Sequence, residues 1–160
     1  MFGTSDGKLG LITALTLHAQ NINVTLIGKH QNKLDIAKAQ GVETKLLQDL
    51  KIEKTYDVVV EATGSISGFE TALALTKPRG VLVLKSTVAA SKEFNLAPIV
   101  IDEITVLGSR CGQFGAALRL LASEKIDFSP LISAKFKADD AIEAFERNKD
   151  KETLKVLLEF

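Results

Sequence analysis

The sequence predicts a doubly wound α/β domain built on a parallel sheet, and three observations carry that prediction. Short apolar runs without charge (Val24-Thr25-Leu26-Ile27, Val58-Val59-Val60, Val81-Leu82-Val83-Leu84, Ile104-Thr105-Val106-Leu107) have the pattern of strands, the first of them of a strand buried on both faces. Between them lie segments whose apolar residues recur at helical spacing. The two patterns alternate at roughly 20-residue intervals, as parallel strands joined by helical crossovers require.

The elements follow in order. An apolar start at Met1-Phe2 runs into the turn Ser5-Asp6-Gly7-Lys8-Leu9-Gly10. Leu9, Ile12, Thr16 and Ala19 then mark a helix, widened by Leu11 and Leu15. Residues 24–27 form the second strand, closed by Gly28. Residues 32–39 are the second helix, with Gly41 as its C-terminal stop. A short third strand spans 43–47, and a fourth at 58–60 ends in Glu61-Ala62-Thr63-Gly64. Phe69, Ala72, Leu73 and Thr76 give the next helix, which Lys77-Pro78-Arg79-Gly80 closes. The fifth and sixth strands are 81–84 and 104–107, and Phe114, Ala117, Leu118 and Leu121 sit at i, i+3, i+4 and i+7 of a further helix. The last thirty residues leave this rhythm: 131–136 alternates loosely, 138–147 is a helix with Asp139 or Asp140 as its N-cap or first-turn acid, and 155–160 is a final strand. The expected division is this doubly wound domain over 1–130 and a strand–helix–strand tail over 131–160. That tail either packs on the same domain or belongs to a neighbouring one.

Composition narrows the function. Twenty basic and twenty acidic residues cancel, so no global charge favours nucleic acid or an anionic membrane surface. Apolar residues make up 46% and charged residues 25%, ordinary for a globular domain. No apolar run approaches the roughly 20 residues that span a bilayer, and nothing reads as a signal peptide. The single cysteine, Cys111, rules out an internal disulfide framework and fits a reducing, cytoplasmic setting. Cys111 has no Cys or His neighbours at metal spacing, so no zinc site is expected. Two histidines without a nucleophile-elbow pattern give no support to a serine triad.

The turn after the first strand carries the chemistry. In a dinucleotide-binding βαβ unit three glycines shape this turn, and the helix N-terminus directs free N–H groups at a pyrophosphate. Gly7 and Gly10 fill the second and third places, and Ser5 stands in the first. Gly7, Lys8 and Leu9 are the candidate pyrophosphate ligands; a ligand-free strand-to-helix turn has a similar pattern. Gly28 lies at the end of the second strand, where an acid grips the ribose hydroxyls in NAD-type sites. Gly28-Lys29-His30, with Lys33 beyond, is instead small and basic, which suits a 2′-phosphate and so NADP(H), with NAD the second choice. On this reading an acid at 28 would turn the preference toward NADH. The bland alternative is a turn glycine before a basic helix start. Thr63 and Gly64 end a strand at the expected cleft, near adenosine and ribose, or else form an ordinary strand-end turn.

Taken together and in order, these stretches resemble the cofactor-binding half of the medium-chain dehydrogenase/reductase family, the zinc-type alcohol and threonine dehydrogenases. The matching segments are 6–11, 24–30, 61–64, 78–83, 104–112 and the closing Ala141-Ile142-Glu143-Ala144-Phe145 and Leu154-Lys155-Val156-Leu157-Leu158. The resemblance implies a Rossmann sheet and hydride transfer between nicotinamide and an alcohol or carbonyl. It implies that main chain at Ser86 and Thr87, and at Leu107 and Ser109, holds the nicotinamide carboxamide. Lys155 matches a place where the family has a pyrophosphate-binding arginine, although a surface lysine on a strand reads equally well. Arg110 is open between a phosphate or substrate contact and a solvated role. The family's zinc and proton-transfer residues lie on a separate barrel-like catalytic domain, absent from this stretch and the expected partner of the tail. Dimeric members pair through their sixth strands, so a homodimer is expected. No catalytic residue is assigned, and the chain alone is expected to be inactive.

The other function considered is a stand-alone nucleotide-binding or sensing module without catalysis. A methyltransferase would want an acid where Gly28 stands. A short-chain dehydrogenase would want a lysine four residues after the only tyrosine, Tyr56, where Val60 is found.

Overall fold

The computed structural model describes residues 2–4, 6–87, 93–150 and 152–160. Six parallel strands form one sheet: β1 (Phe2–Thr4), β2 (Thr25–Gly28), β3 (Glu43–Leu46), β4 (Tyr56–Glu61), β5 (Thr76–Leu84) and β6 (Thr105–Gly108). Their spatial order is β3-β2-β1-β4-β5-β6. The chain starts in the middle, fills one side, then returns to lay β4 on the opposite flank of β1, with Thr4 paired to both Ile27 and Glu61. The order therefore reverses between β1 and β4, which is the doubly wound topology that the sequence predicts.

The strands carry apolar residues on both faces because successive side chains of a strand point to opposite sides. Leu26 joins one core with Leu11, Ala14 and Leu15 of α1 (Lys8–His18) and Leu34 and Ala37 of α2 (Gln31–Lys38). Its neighbour Ile27 joins the other, with Val59, Leu82, and Ala72, Leu73 and Leu75 of α3 (Ile66–Leu75). Helices thus pack on both faces of the sheet, while β6 stays exposed. Gly41, at φ +88°, ends α2 as the sequence predicts.

Several elements differ from the sequence reading. Lys77, Pro78, Arg79 and Gly80 do not separate helix from strand but belong to β5, which follows directly on α3. The β4–β5 register shifts from Tyr56↔Thr76 to Val58↔Val81, so the Pro-Gly punctuation marks an irregularity inside the strand rather than its start. Arg79 adopts a left-handed φ of +63° there. The short helix α4 (Ala97–Ile101) has no counterpart in the sequence reading, since five residues are too few to display a helical period. Helix α5 (Phe114–Ala122) appears as expected.

The tail forms its own two-stranded parallel sheet from β7 (Ile132–Lys137) and β8 (Lys155–Glu159). The helix expected over 138–147 divides into a 3₁₀ turn (Ala138–Asp140) and α6 (Ala141–Arg147). Asp140 is the N-cap residue of α6, but its side chain makes no capping hydrogen bond. Leu131 and Leu154, which flank the tail strands, pack into the α1–α2 core. No helix among the described residues is long and apolar enough to cross a membrane.

Candidate functional site

In an open α/β sheet, the crevice at the carboxyl ends of the strands opens where the strand order reverses. A cavity of about 520 Å³ lies there, within the size range of small-molecule and cofactor pockets. One wall comes from the β1–α1 turn (Asp6, Gly7). The end of β2 and the start of α2 add Ile27, Gly28, Lys29, His30 and Lys33. Leu47 closes the outer side, and Thr63, Ser65, Ser67, Gly68 and Thr71 form the wall after β4.

Helix α1 starts at this cavity. Its N-cap is Gly7, in extended conformation, which has no side chain to cap the first turn. Lys8 and Leu9 follow it, both exposed. A helix N-terminus of this kind directs backbone N–H groups and the positive end of its dipole at an anion. Ser5 lies outside the described residues. Helix α3, which also begins at the cavity, is closed off: Ser65 Oγ accepts from Gly68 N at 3.1 Å. Of the three helix starts at the cavity, only that of α3 is capped by the side chain of its own N-cap residue; those of α1 and α2 are not.

The basic residues are arranged differently from one another. Lys29 and His30 are exposed at the rim. Lys33 lines the cavity but is only 7% accessible, because it shares the inward face of α2 with Leu34 and Ala37. A lysine tolerates this by burying its methylene stem. The sequence groups it with Lys29 and His30, and the fold separates it from them by burial.

The wall after β4 is held by Glu61, which is 2% accessible. Its Oε1 accepts from Thr63 N and Thr63 Oγ1, both at 2.6 Å, and from Ser86 Oγ at 3.0 Å. Ser86 Oγ in turn accepts from Gly64 N at 2.7 Å. This arrangement ties the ends of β4 and β5 into one rigid edge. Thr63 lines the cavity, whereas Gly64 (φ +72°) and Ser86 lie beside it and outside its lining.

The remaining predicted residues lie apart from the cavity lining. Thr87 is exposed just beyond β5. Leu107 is on β6, and Ser109 N donates to Leu84 O at 2.9 Å, extending the β5–β6 ladder. Lys155 is exposed at the start of β8, paired with Ile132. Arg110 is exposed, and its carbonyl accepts from Lys85 Nζ at 2.6 Å. Sequence reasoning missed Asp6, Glu61, Ser65 and Gly68. Only Ser65 had a readable signal, a serine three residues before the residue whose N–H it caps.

Among the described residues no group of three or more His, Cys, Asp or Glu side chains comes together to hold a metal ion, and Cys111 is exposed. The site is instead an anion- and hydroxyl-recognising crevice: an uncapped helix start, three basic side chains, and hydroxyls fixed along the opposite wall. Sheet order and crevice together define a Rossmann-type α/β domain with an open cleft at the strand reversal.

Comparison with known proteins gives the family. Residues 9–124 match the zinc-binding dehydrogenase family model, and the chain belongs to that family. It is 27% identical to sorbitol dehydrogenase of Gallus gallus over 176 residues, covering 99% of this chain and 49% of that protein. It is 26% identical to (R,R)-butanediol dehydrogenase of Neisseria gonorrhoeae over 155 residues, covering 88% and 44%. The crystal structure of L-idonate 5-dehydrogenase from Escherichia coli superimposes with a TM-score of 0.90 at 27% identity, over 99% of this chain and 49% of that one. The chain thus spans about half the length of the relatives it matches.

Proposed function

We propose that the chain is the cofactor-binding half of an NADP(H)-dependent alcohol dehydrogenase, acting on an alcohol or carbonyl substrate. The observation that carries this is the crevice at the β1/β4 reversal, where the N-terminus of α1, the basic rim of Lys29 and His30, and the largely buried Lys33 line one cavity. The nicotinamide supplies the chemistry, transfer of a hydride to or from the substrate carbon. The chain's own work is to bind and orient. First-turn amides at Gly7, Lys8 and Leu9 take the pyrophosphate. The Lys29–His30 rim takes the 2′-phosphate, and Thr63 and Gly64 flank the adenosine ribose. Main chain near Ser86, Thr87, Leu107 and Ser109 positions the carboxamide, and Lys155 and Arg110 are secondary phosphate contacts.

The relatives are about twice as long as this chain, which supports a second domain that completes the substrate pocket and supplies acid–base groups. Two exposed apolar faces are available for protein contacts. Ile142 and Phe145 of α6 are 82% and 69% accessible and suit the catalytic domain, while the β6 edge suits a second copy of the chain. A single exposed thiol and balanced charge fit the cytoplasm.

The test is an equilibrium titration with NADPH, NADH and S-adenosylmethionine. The 2′-phosphate meets partly exposed, salt-screened cations, so NADPH is expected to bind about tenfold more tightly than NADH, a difference of about 1.4 kcal/mol. The preference weakens as salt rises. NADH binding at least as tight as NADPH at low salt rejects the NADP(H) assignment, and tight S-adenosylmethionine binding rejects the oxidoreductase reading. Purified alone, the chain is expected to turn over no alcohol, since the orienting and electrostatic contributions of a catalytic half, several kcal/mol each, are not supplied by these residues.

A further inference from the structure

The loop from Gly28 to His30 reads in the sequence as a specificity site without an acid. The fold supplies one from elsewhere in the chain. Asp6, buried in the β1–α1 turn, reaches across to the end of β2. Its Oδ2 accepts from Lys29 N at 2.7 Å and from His30 N at 2.5 Å, and lies 2.9 Å from His30 Nδ1. One carboxylate oxygen thus holds both loop amides and the imidazole ring. Hydrogen bonds to an ionised group are stronger than neutral ones and geometrically more demanding.

The same side chain explains the glycine. A Cβ built on Gly28 would stand 2.6 Å from Asp6 Cγ and 2.7 Å from Oδ2, and closer still to Asp6 Cβ. Asp6 has a single methylene between its backbone and its carboxyl carbon. It cannot swing aside without releasing Lys29 N, His30 N and the His30 ring together. Position 28 is therefore small because Asp6 fills the space.

We infer that Asp6 and Gly28 are a matched pair that sets dinucleotide specificity: Asp6 occupies the place of a residue-28 side chain and positions the Lys29–His30 rim for the ribose 2′-substituent. Asp6 is a positioning residue here, since its Oδ2 is already shared among three donors. This rests on the dinucleotide reading of the cavity, and it goes beyond it by making specificity a property of two residues 22 positions apart in the chain. An acid placed at 28 alone meets a carboxylate already in position. Two carboxylates in contact repel, and the loop has to open to separate them.

The test is a double-mutant cycle on the whole 160-residue chain, with wild type, Gly28→Asp, Asp6→Ala, the double variant and Asp6→Asn. Each is titrated with NADPH and NADH and melted without ligand. Gly28→Asp is expected to weaken both dinucleotides by about tenfold and to lower the melting temperature, while Asp6→Ala brings the two dinucleotides to within about threefold of each other. The double variant is expected to melt above Gly28→Asp and to bind NADH about tenfold more tightly than Gly28→Asp does. Asp6→Asn keeps an acceptor for the two amides and is expected to keep the NADPH preference, which a purely structural loss of stability would not spare. Additive melting shifts, or a Gly28→Asp variant that is stable and switches to NADH unaided, overturn the pairing. A wild type that binds neither dinucleotide overturns the proposed function and this inference with it; a wild type that prefers NADPH while the cycle is additive overturns the inference alone.

Discussion

Glu61 is the residue whose role the linear sequence hides most completely. In Glu61-Ala62-Thr63-Gly64 it reads as the polar end of a strand, yet it is buried and accepts hydrogen bonds from Thr63 N, Thr63 Oγ1 and Ser86 Oγ. Ser86 is 25 residues away, and no local pattern announces a partner at that distance. Asp6 is hidden for the same reason, because its partners lie on the next strand's loop. Gly7 and Gly28, by contrast, are legible, since the absence of a side chain is itself a local signal. Removing the Glu61 acceptor takes the shared partner from Thr63 N, Thr63 Oγ1 and Ser86 Oγ, and a lost hydrogen bond to a charged group costs about 1.5–3 kcal/mol. Glu61→Ala is therefore expected to be destabilised by about 2 kcal/mol in urea unfolding, and Glu61→Gln, which retains an acceptor oxygen, by about half as much. Equal stability of Glu61→Ala and wild type would show that the β4–β5 edge does not depend on this carboxylate.

At the scale of elements, long periodic segments were readable and short or irregular ones were not. Helices α1, α2, α3 and α5 announce themselves by spacing, as do the apolar strands. The five-residue α4, the irregular stretch 77–80 and the split of 138–147 are set by packing and register rather than by pattern. The seat of α3 is one such packing feature. A Cβ on Gly68 would overlap Thr63 Oγ1 and lie 2.6 Å from Thr63 Cβ, and Thr63 is itself fixed to Glu61. Gly68→Ala should push α3 away from the end of β4, with a cost of about 1–3 kcal/mol as for other overpacked sites. An unchanged melting temperature would count against so close a seat. The β3 edge offers a second test. Thr25 Oγ1 donates to Glu43 Oε2 at 2.9 Å, and Lys45 pairs with Glu43 at 3.2 Å. The Lys45 ammonium first, and the Thr25 hydroxyl second, hold the Glu43 carboxyl below its usual range, against the opposing effect of partial burial. A carboxyl lowered in the folded state stabilises above its unfolded pKa, and that stability is lost as pH falls through the folded value. Glu43 is half exposed, so the contribution lies at the low end of the about 0.2–1 kcal/mol of cross-strand pairs. Wild type should exceed Glu43→Gln in stability at pH 7, and the difference should close on acidification. A gap that persists at low pH would assign the effect to something other than this charge.

At the scale of the whole molecule, the doubly wound topology was legible because alternation of buried strands and amphipathic helices admits few parallel arrangements. What covers the outer surface was not, because exposure is a property of the assembled sheet. The two edges of that sheet differ sharply. The β3 edge carries Glu43 and Lys45, the kind of charged residues that keep edge strands from pairing. The β6 edge, Thr105-Val106-Leu107-Gly108, carries no charge and is exposed along its whole length. Beside it in sequence, α5 turns Phe114, Leu118 and Leu121 outward, with Phe114 at 78% accessibility. An uncharged, open strand edge is a template for pairing with another chain. If two copies pair through β6, a charge on that edge should separate them and leave the fold intact, since the side chain replaced is already solvent-accessible. Val106→Lys is the substitution of choice. Wild type is expected to sediment at about twice the 17.3 kDa chain mass and Val106→Lys at the chain mass itself, with nearly equal melting temperatures once concentration is held fixed. Phe114→Ser supplies the control, because it removes exposed apolar surface from α5 without touching the strand. Dissociation by Phe114→Ser but not by Val106→Lys would move the interface from the strand edge to the helix. A wild-type chain that stays at 17.3 kDa at high concentration would mean that β6 is left open in solution.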